Sequence, residues 1–254
     1  MTTLARRQAP AGAPRRVSSC ALAAAVLACA APAHAQFAAT LGVDSVSRYR
    51  GTGTGDRGPV LRASVMADAP WAVASGAYAG VAGLWRTRDA GLASADAIVG
   101  WSGRFNALPA LDELAPDWGW DLGVHRRHDG EGARYDFNEA MLGVLAPGWS
   151  ARAWWSPHYF GGHASSLYTE LNGSRDLGEH WHVFGHLGHI RYGRSAYGQP
   201  HVAGRADTVL GIGYAIDAWD IRLSRDALVA GHARDDLDAR RRGAAWVLGA
   251  SVAF

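Results

Sequence analysis

The sequence predicts an all-β protein: an antiparallel transmembrane β-barrel of about twelve strands, preceded by a cleaved signal peptide. Three observations carry that expectation. Apolar residues alternate with small or polar ones through most of residues 36–254. The alternating stretches come to an even number, joined by connections that are short and long in turn. The chain also closes on a charge-free alternating stretch that ends at Phe254. Successive residues of a strand face opposite sides of a sheet, and bacterial outer-membrane barrels have even strand numbers with short turns at one end and longer loops at the other.

The N-terminus carries Arg6, Arg7, Arg15 and Arg16 without an acid, then an apolar run from Cys20 to Ala31, then Ala33-His34-Ala35 before Gln36. A basic segment, an apolar core too short for a stop-transfer helix and an A-x-A step make residues 1–35 a secretory signal, with residues 36–254 as the barrel. Both cysteines, Cys20 and Cys29, fall inside the signal, so the mature chain offers no disulfide and no thiolate metal site. Every basic residue besides histidine is arginine. The four leader arginines account for the excess of 25 basic over 23 acidic residues, so the remainder is slightly acidic and gives no sign of a nucleic-acid partner.

In chain order, Phe37, Ala39, Leu41 and Val43 start a first strand that continues toward Tyr49, and Gly51–Asp56 reads as a loop. Leu61–Ala67 gives the second strand, Asp68-Ala69-Pro70-Trp71 a short turn, Gly76–Trp85 the third strand and Ala95–Arg104 the fourth. Residues 106–117, with Pro109 and Pro116, form a long connection that breaks the rhythm of turns and loops. The cleanest alternation follows: Trp118, Trp120, Leu122 and Val124 against Asp121, Gly123, His125 and Arg127. Strands six to eleven lie over 139–144, 149–156, 167–172, 181–187, 207–216 and 219–226, with tight turns at Pro147-Gly148 and Asp217-Ala218 and long polar connections at 193–206 and 227–242. Gly243–Phe254 is the twelfth. Trp71, Trp118, Trp120, Trp149, Trp181 and Trp219 stand at strand ends, where an interfacial aromatic girdle is expected.

The stretch Leu41-Gly42-Val43-Asp44-Ser45-Val46-Ser47-Arg48-Tyr49-Arg50-Gly51, followed by Asp56-Arg57-Gly58-Pro59, resembles the opening of the TorF-like porin family. Glu139, the Trp154–Tyr159 stretch and Tyr168-x-Glu170-x-Asn172 resemble its middle strands. Where that family has a serine-rich step after Arg-Gly, this chain has Thr52-Gly53-Thr54-Gly55. The resemblance implies an outer-membrane barrel with a channel function.

If the apolar register faces lipid, the other faces a lumen lined by Asp44, Arg48, Arg50, Arg62, Asp121, His125, Glu139, Arg152, Glu170, His182, His186, Asp220 and Arg222, with Asp96, Arg104, Arg127, Asp207 and Asp226 beside them. Charges of both signs predict either a water-filled passage or a lumen closed by ion pairs. The expected function is a channel for small polar solutes and not an enzyme. Two alternatives stand beside it: a barrel lipid hydrolase using His163, Ser165 and Glu170, and a structural or adhesive barrel with a plugged lumen.

No cofactor or metal is expected. Gly51–Gly55 lacks a following helix and a P-loop lysine, and histidines two apart on a strand, as among His180, His182, His186 and His189, lie about 6.6 Å apart, so two on one strand do not share a zinc ion at about 2.0–2.1 Å without help from neighbours. The expected partners are outer-membrane lipid, small polar solutes, and the barrel-assembly machinery acting through the strand that ends at Phe254.

Overall fold

The computed structural model describes residues 36–53, 58–72, 75–105, 115, 117–161, 164–193, 204–231 and 243–254, all within the compact unit Pro32–Phe254. Its strands are β1 (Gln36–Asp44), β2 (Arg48–Tyr49), β3 (Thr52–Gly53), β4 (Val60–Ala72), β5 (Ser75–Arg86), β6 (Leu92–Arg104), β7 (Gly119–Asp129), β8 (Phe137–Ala146), β9 (Trp149–Ser156), β10 (Ser166–Asp176), β11 (Trp181–Tyr192), β12 (Arg205–Ile216), β13 (Trp219–Gly231) and β14 (Ala244–Ala253). Twelve of them close a barrel in the order β1-β14-β13-β12-β11-β10-β9-β8-β7-β6-β5-β4, while β2 and β3 form a separate two-stranded hairpin. Each neighbouring barrel pair is sequential except the seam, where β1 meets β14 with Thr40 opposite Ala253 and Asp44 opposite Gly249. Phe254 ends that seam, its N–H donating to the Ala39 carbonyl at 2.9 Å.

Antiparallel partners share a face, so the register sorts every strand into two sets. One set is apolar and exposed on all twelve barrel strands, from Leu41 on β1 to Leu248 on β14, with Leu142 63% and Leu210 71% exposed. The other set points inward and is polar. Six large apolar residues are buried among the described ones, against ten polar or charged residues that include Asp121, Arg127, Glu139 and Asp207. In water this inversion would forfeit about 1.5–3 kcal/mol for every exposed Leu or Val, and a contiguous apolar surface of this kind marks contact with another apolar phase. Strands of eight to thirteen residues suit a hydrocarbon core that needs about 9–11. No helix among the described residues is long and apolar enough to cross a membrane, a statement that leaves strands aside.

Aromatic residues gather at the end that holds Gln36 and Phe254. There Trp118 meets Trp149 edge-on at 5.1 Å, Trp181 meets Tyr214 at 4.9 Å, and Trp219 and Phe254 are exposed. The turns at 147–148 and 217–218 lie at this end.

Three expectations need correction. The first strand stops at Asp44 instead of continuing to Tyr49, because the chain leaves the barrel wall and turns into the β2–β3 hairpin. Thr52–Gly53, read as loop, is the second arm of that hairpin. Asp68–Trp71, read as a turn, belongs to β4, whose ladder continues to Ala72 opposite Ser75. Pro70 is accommodated because the register shifts between it and Ala72, and a bulge is one of the places where a sheet tolerates a missing N–H. Residues 106–114, 194–203 and 232–242, from the three long connections, lie outside the described residues.

Candidate functional site

The centre of the site is the β2–β3 hairpin. Its two-residue tip, Arg50-Gly51, has positive φ at both positions, 49° and 71°, the geometry of a tight primed hairpin turn. Gly51 is required there twice over: by its φ, and because a Cβ would run into the Asp207 side chain on β12. Arg50 adopts the left-handed region at a cost of about 1–2 kcal/mol, and its side chain supplies the compensation. Nη1 and Nη2 donate to the two Glu139 carboxylate oxygens on β8 at 2.8 and 2.7 Å. Both side chains are nearly inaccessible, 7% for Arg50 and 0% for Glu139. Since β8 lies five places round the twelve-strand ring from β1, nearly opposite it, the hairpin crosses the lumen.

The pair belongs to a longer chain of charges. Glu139 Oε2 lies 3.4 Å from His125 Nδ1, His125 Nε2 lies 2.9 Å from Asp96 Oδ1, and Arg127 donates through Nη1 to both Asp96 oxygens at 3.1 and 3.0 Å. Arg127 also covers the Tyr49 ring at 3.9 Å, while Arg50 packs over Tyr168 at 4.1 Å. At the base of the hairpin, Arg48 Nη2 donates to the Gly51 and Gly243 carbonyls at 2.6 and 2.7 Å. An aromatic cluster of Tyr49, Phe137, Tyr159, Phe160 and Tyr192 packs on the same structure.

The remaining inward charges are also mostly engaged. Arg62 pairs with Asp44 at 3.0 Å, Arg152 with Asp121 at 3.1 Å and Arg222 with Asp220 at 3.3 Å, and His182 stands 3.6 Å from Asp220. On β10–β12, His186 contacts Asn172 at 2.7 Å, the Tyr168 hydroxyl at 2.9 Å and Asp207 at 2.9 Å. Gly188 makes room for this group, since a Cβ there would meet the Tyr168 hydroxyl and the Asp207 carboxylate. Glu170 accepts from the Trp154 indole N–H at 3.1 Å. Arg104 is exposed near the end of β6.

These side chains surround two cavities. The larger, about 840 Å³, runs from the hairpin and Glu139 past Trp154, Tyr168, Glu170 and His186 to Gly148, Trp149 and Ser174 at the Phe254 end. The smaller, about 330 Å³, lies against β4–β6 and β13–β14, with Asp44, Arg62, Arg222 and Gly249 in its wall. Arg48, Tyr49, Asp96, Arg127, Phe184, Val209 and Asp226 line both. The hairpin therefore stands in the lumen with a cavity on either side and a common wall at its edge.

The geometry thus puts Arg50, His125, Glu139, Asp96 and Arg127 into one network and His186, Asn172, Tyr168 and Asp207 into another, while Arg62–Asp44 and Arg152–Asp121 are separate pairs. Tyr49, Trp154, Tyr168 and Phe184 are site residues that an inventory of charges misses, although alternation places Trp154 and Tyr168 on the polar register. Ser165 sits before β10, its carbonyl accepting from the Gly193 N–H at 2.8 Å, and His163 lies outside the described residues. No group of three or more His, Cys, Asp or Glu placed to hold a metal ion occurs among the described residues; His180 instead contacts the Ala215 carbonyl through Nδ1 at 3.0 Å.

No family model matches the chain, and no curated protein matches it. Among solved structures, it is similar to one described as the KdgM porin, at 9% identity and a TM-score of 0.47, covering 85% of this chain and 99% of that one. It is similar to the COG4313 outer membrane channel from Pseudomonas putida F1, at 9% identity and a TM-score of 0.49, covering 88% and 96%. It is also similar to the NanC porin, at 8% identity and a TM-score of 0.47, covering 85% and 99%. The barrel assignment stands on the strand ladders and not on these likenesses.

Proposed function

We propose that this chain is an outer-membrane channel that admits small polar solutes through a charged lumen narrowed by the β2–β3 hairpin. The observation that carries this reading is the pair of cavities on either side of the hairpin, each with charged side chains in its wall, which share seven lining residues. Asp44, Arg48, Arg50, Arg62, Asp121, His125, Glu139, Arg152, Glu170, His182, His186, Asp220 and Arg222 line the passage in this proposal. The neck lies between Arg48-Tyr49 and the facing Asp96, Arg127 and Asp226. Residues 1–35 direct export, lipid covers the apolar face, and the strand ending at Phe254 is the part that the barrel-assembly machinery engages. Membership of the TorF-like porin family belongs to the same proposal and is supported by the resemblance over Leu41–Gly51.

A second reading, a closed scaffold, is favoured by one observation: the buried Arg50–Glu139 pair and the aromatic cluster fix the hairpin in place. Hydrolysis finds less support. Ser165 and Glu170 are five residues apart, about 16 Å along extended chain, further than one histidine hydrogen-bonded to both can bridge. Reconstitution of the purified barrel in a planar bilayer decides between channel and scaffold. The channel predicts discrete conductance steps, and a folded barrel that passes no current is a scaffold.

A further inference from the structure

We infer that the larger cavity prefers cations and amine-bearing solutes, and that Glu170 and Asp226 set this preference. The inference deepens the channel reading and rests on it. Around this cavity stand five carboxylates (Asp96, Glu139, Glu170, Asp207 and Asp226), three arginines (Arg48, Arg50 and Arg127) and two histidines (His125 and His186), which add positive charge only when protonated. The count favours negative charge, and the pairing sharpens the imbalance.

Two of the three arginines are paired with carboxylates, and the third is bonded to neutral carbonyls. Arg50 spends Nη1 and Nη2 on Glu139, and its guanidinium covers the Tyr168 ring at 4.1 Å. Arg127 spends Nη1 on Asp96 and covers Tyr49 at 3.9 Å. Arg48 donates through Nη2 to two backbone carbonyls. An incoming anion would have to displace a carboxylate, a ring or a carbonyl to reach any of them. That is a poor exchange in a confined lumen, where a charged group deprived of its partner is costly.

Two of the carboxylates are differently placed. Glu170 accepts from the neutral Trp154 indole at 3.1 Å, and Asp226 from the Ser224 hydroxyl at 2.6 Å. Among the described residues, neither has an arginine or histidine nitrogen within ion-pair distance, whereas Asp207 is held by His186 and Glu139 by Arg50. Glu170 presents its charge to whatever enters, and Asp226 does so beside Arg48, whose single charge leaves the pair of carboxylates in excess. Trp154 and Phe184 stand in the same wall, and aromatic faces attract cations and repel anions. A cleft of one net sign with low-dielectric walls concentrates the opposite ion.

The test is the zero-current potential of the purified barrel in a planar bilayer across a tenfold KCl gradient. The inference predicts a potassium-to-chloride permeability ratio of about three or more at low salt, since clefts of one sign enrich counter-ions at least tenfold in the strong limit. The ratio falls toward one in the Glu170→Gln/Asp226→Asn double variant. Each single variant gives a partial fall, so the prediction survives if the double variant does not fold. Asp89→Asn, in the exposed turn after β5, leaves the ratio unchanged. Chloride preference, or a ratio near one, in the unsubstituted barrel overturns the inference and leaves the channel standing. Full selectivity in the folded double variant overturns the assignment to these two residues. A folded barrel without conductance overturns the channel reading itself, and this inference with it.

Discussion

Glu139→Gln tests the role assigned to the hairpin. Glu139 is fully buried and holds both terminal nitrogens of Arg50; glutamine keeps the shape and one acceptor but removes the charge. Breaking a buried ion pair from one side costs about 3–5 kcal/mol, because the other charge is left uncompensated. The remaining contacts of Arg50 with Tyr49, Tyr159 and Tyr168 and the retained acceptor place this variant at the lower end, about 3 kcal/mol. With about 1.4 kcal/mol per factor of ten, the equilibrium between docked and undocked hairpin shifts roughly 100-fold toward the undocked state. Removing the hairpin from the lumen joins the two cavities. Single-channel recording should therefore show larger steps or frequent transitions to a larger level, while the barrel stays folded because its ladders do not depend on the hairpin. Conductance identical to that of the unsubstituted protein, with no new level, would refute the latch. Arg50→Ala should reproduce the effect from the other side.

Two further predictions concern different parts of the account. Gly51→Ala should act like Glu139→Gln, since it meets both the positive φ and the Asp207 side chain, and proteolysis of the hairpin in the folded barrel should accelerate. Leu142→Arg, in the middle of β8 on the exposed apolar face, should cost about 2–4 kcal/mol in urea unfolding from liposomes; an unchanged transition would place that face away from lipid.

The barrel wall was legible in the sequence because alternation is a local signal. Leu122 and Val124 against Asp121 and His125 show both faces of β7 within five residues, and β9 begins and ends where its own pattern does. The hairpin was not legible. Tyr49 falls on the odd-numbered apolar beat of Phe37, Leu41 and Val43, while the structure that follows β1 is a hairpin whose turn at Arg50-Gly51 is stabilised by Glu139, 89 positions away. Pro70 misled for the opposite reason: a strong local turn signal was overridden by a bulge near the end of a long ladder. The inward parity of the charged residues followed from alternation, but their partners did not. Arg127 meets Asp96 and Arg152 meets Asp121 only because β7 pairs with β6 and β8 brings β9 alongside. The unequal commitment of arginines and carboxylates in the larger cavity is visible only once those registers are set.

The claim under everything else is that one face of each strand meets lipid and the other meets an aqueous lumen. Cys20 and Cys29 precede residue 36, so a cysteine placed in the barrel carries the only thiol of residues 36–254. Spin labels at positions 167, 170, 171 and 172 of β10 should alternate in liposomes. Leu167→Cys and Leu171→Cys should be open to oxygen dissolved in the bilayer, and Glu170→Cys and Asn172→Cys to a water-soluble nickel chelate. Labels sheltered from both reagents at all four sites, as between two packed sheets, would contradict the account.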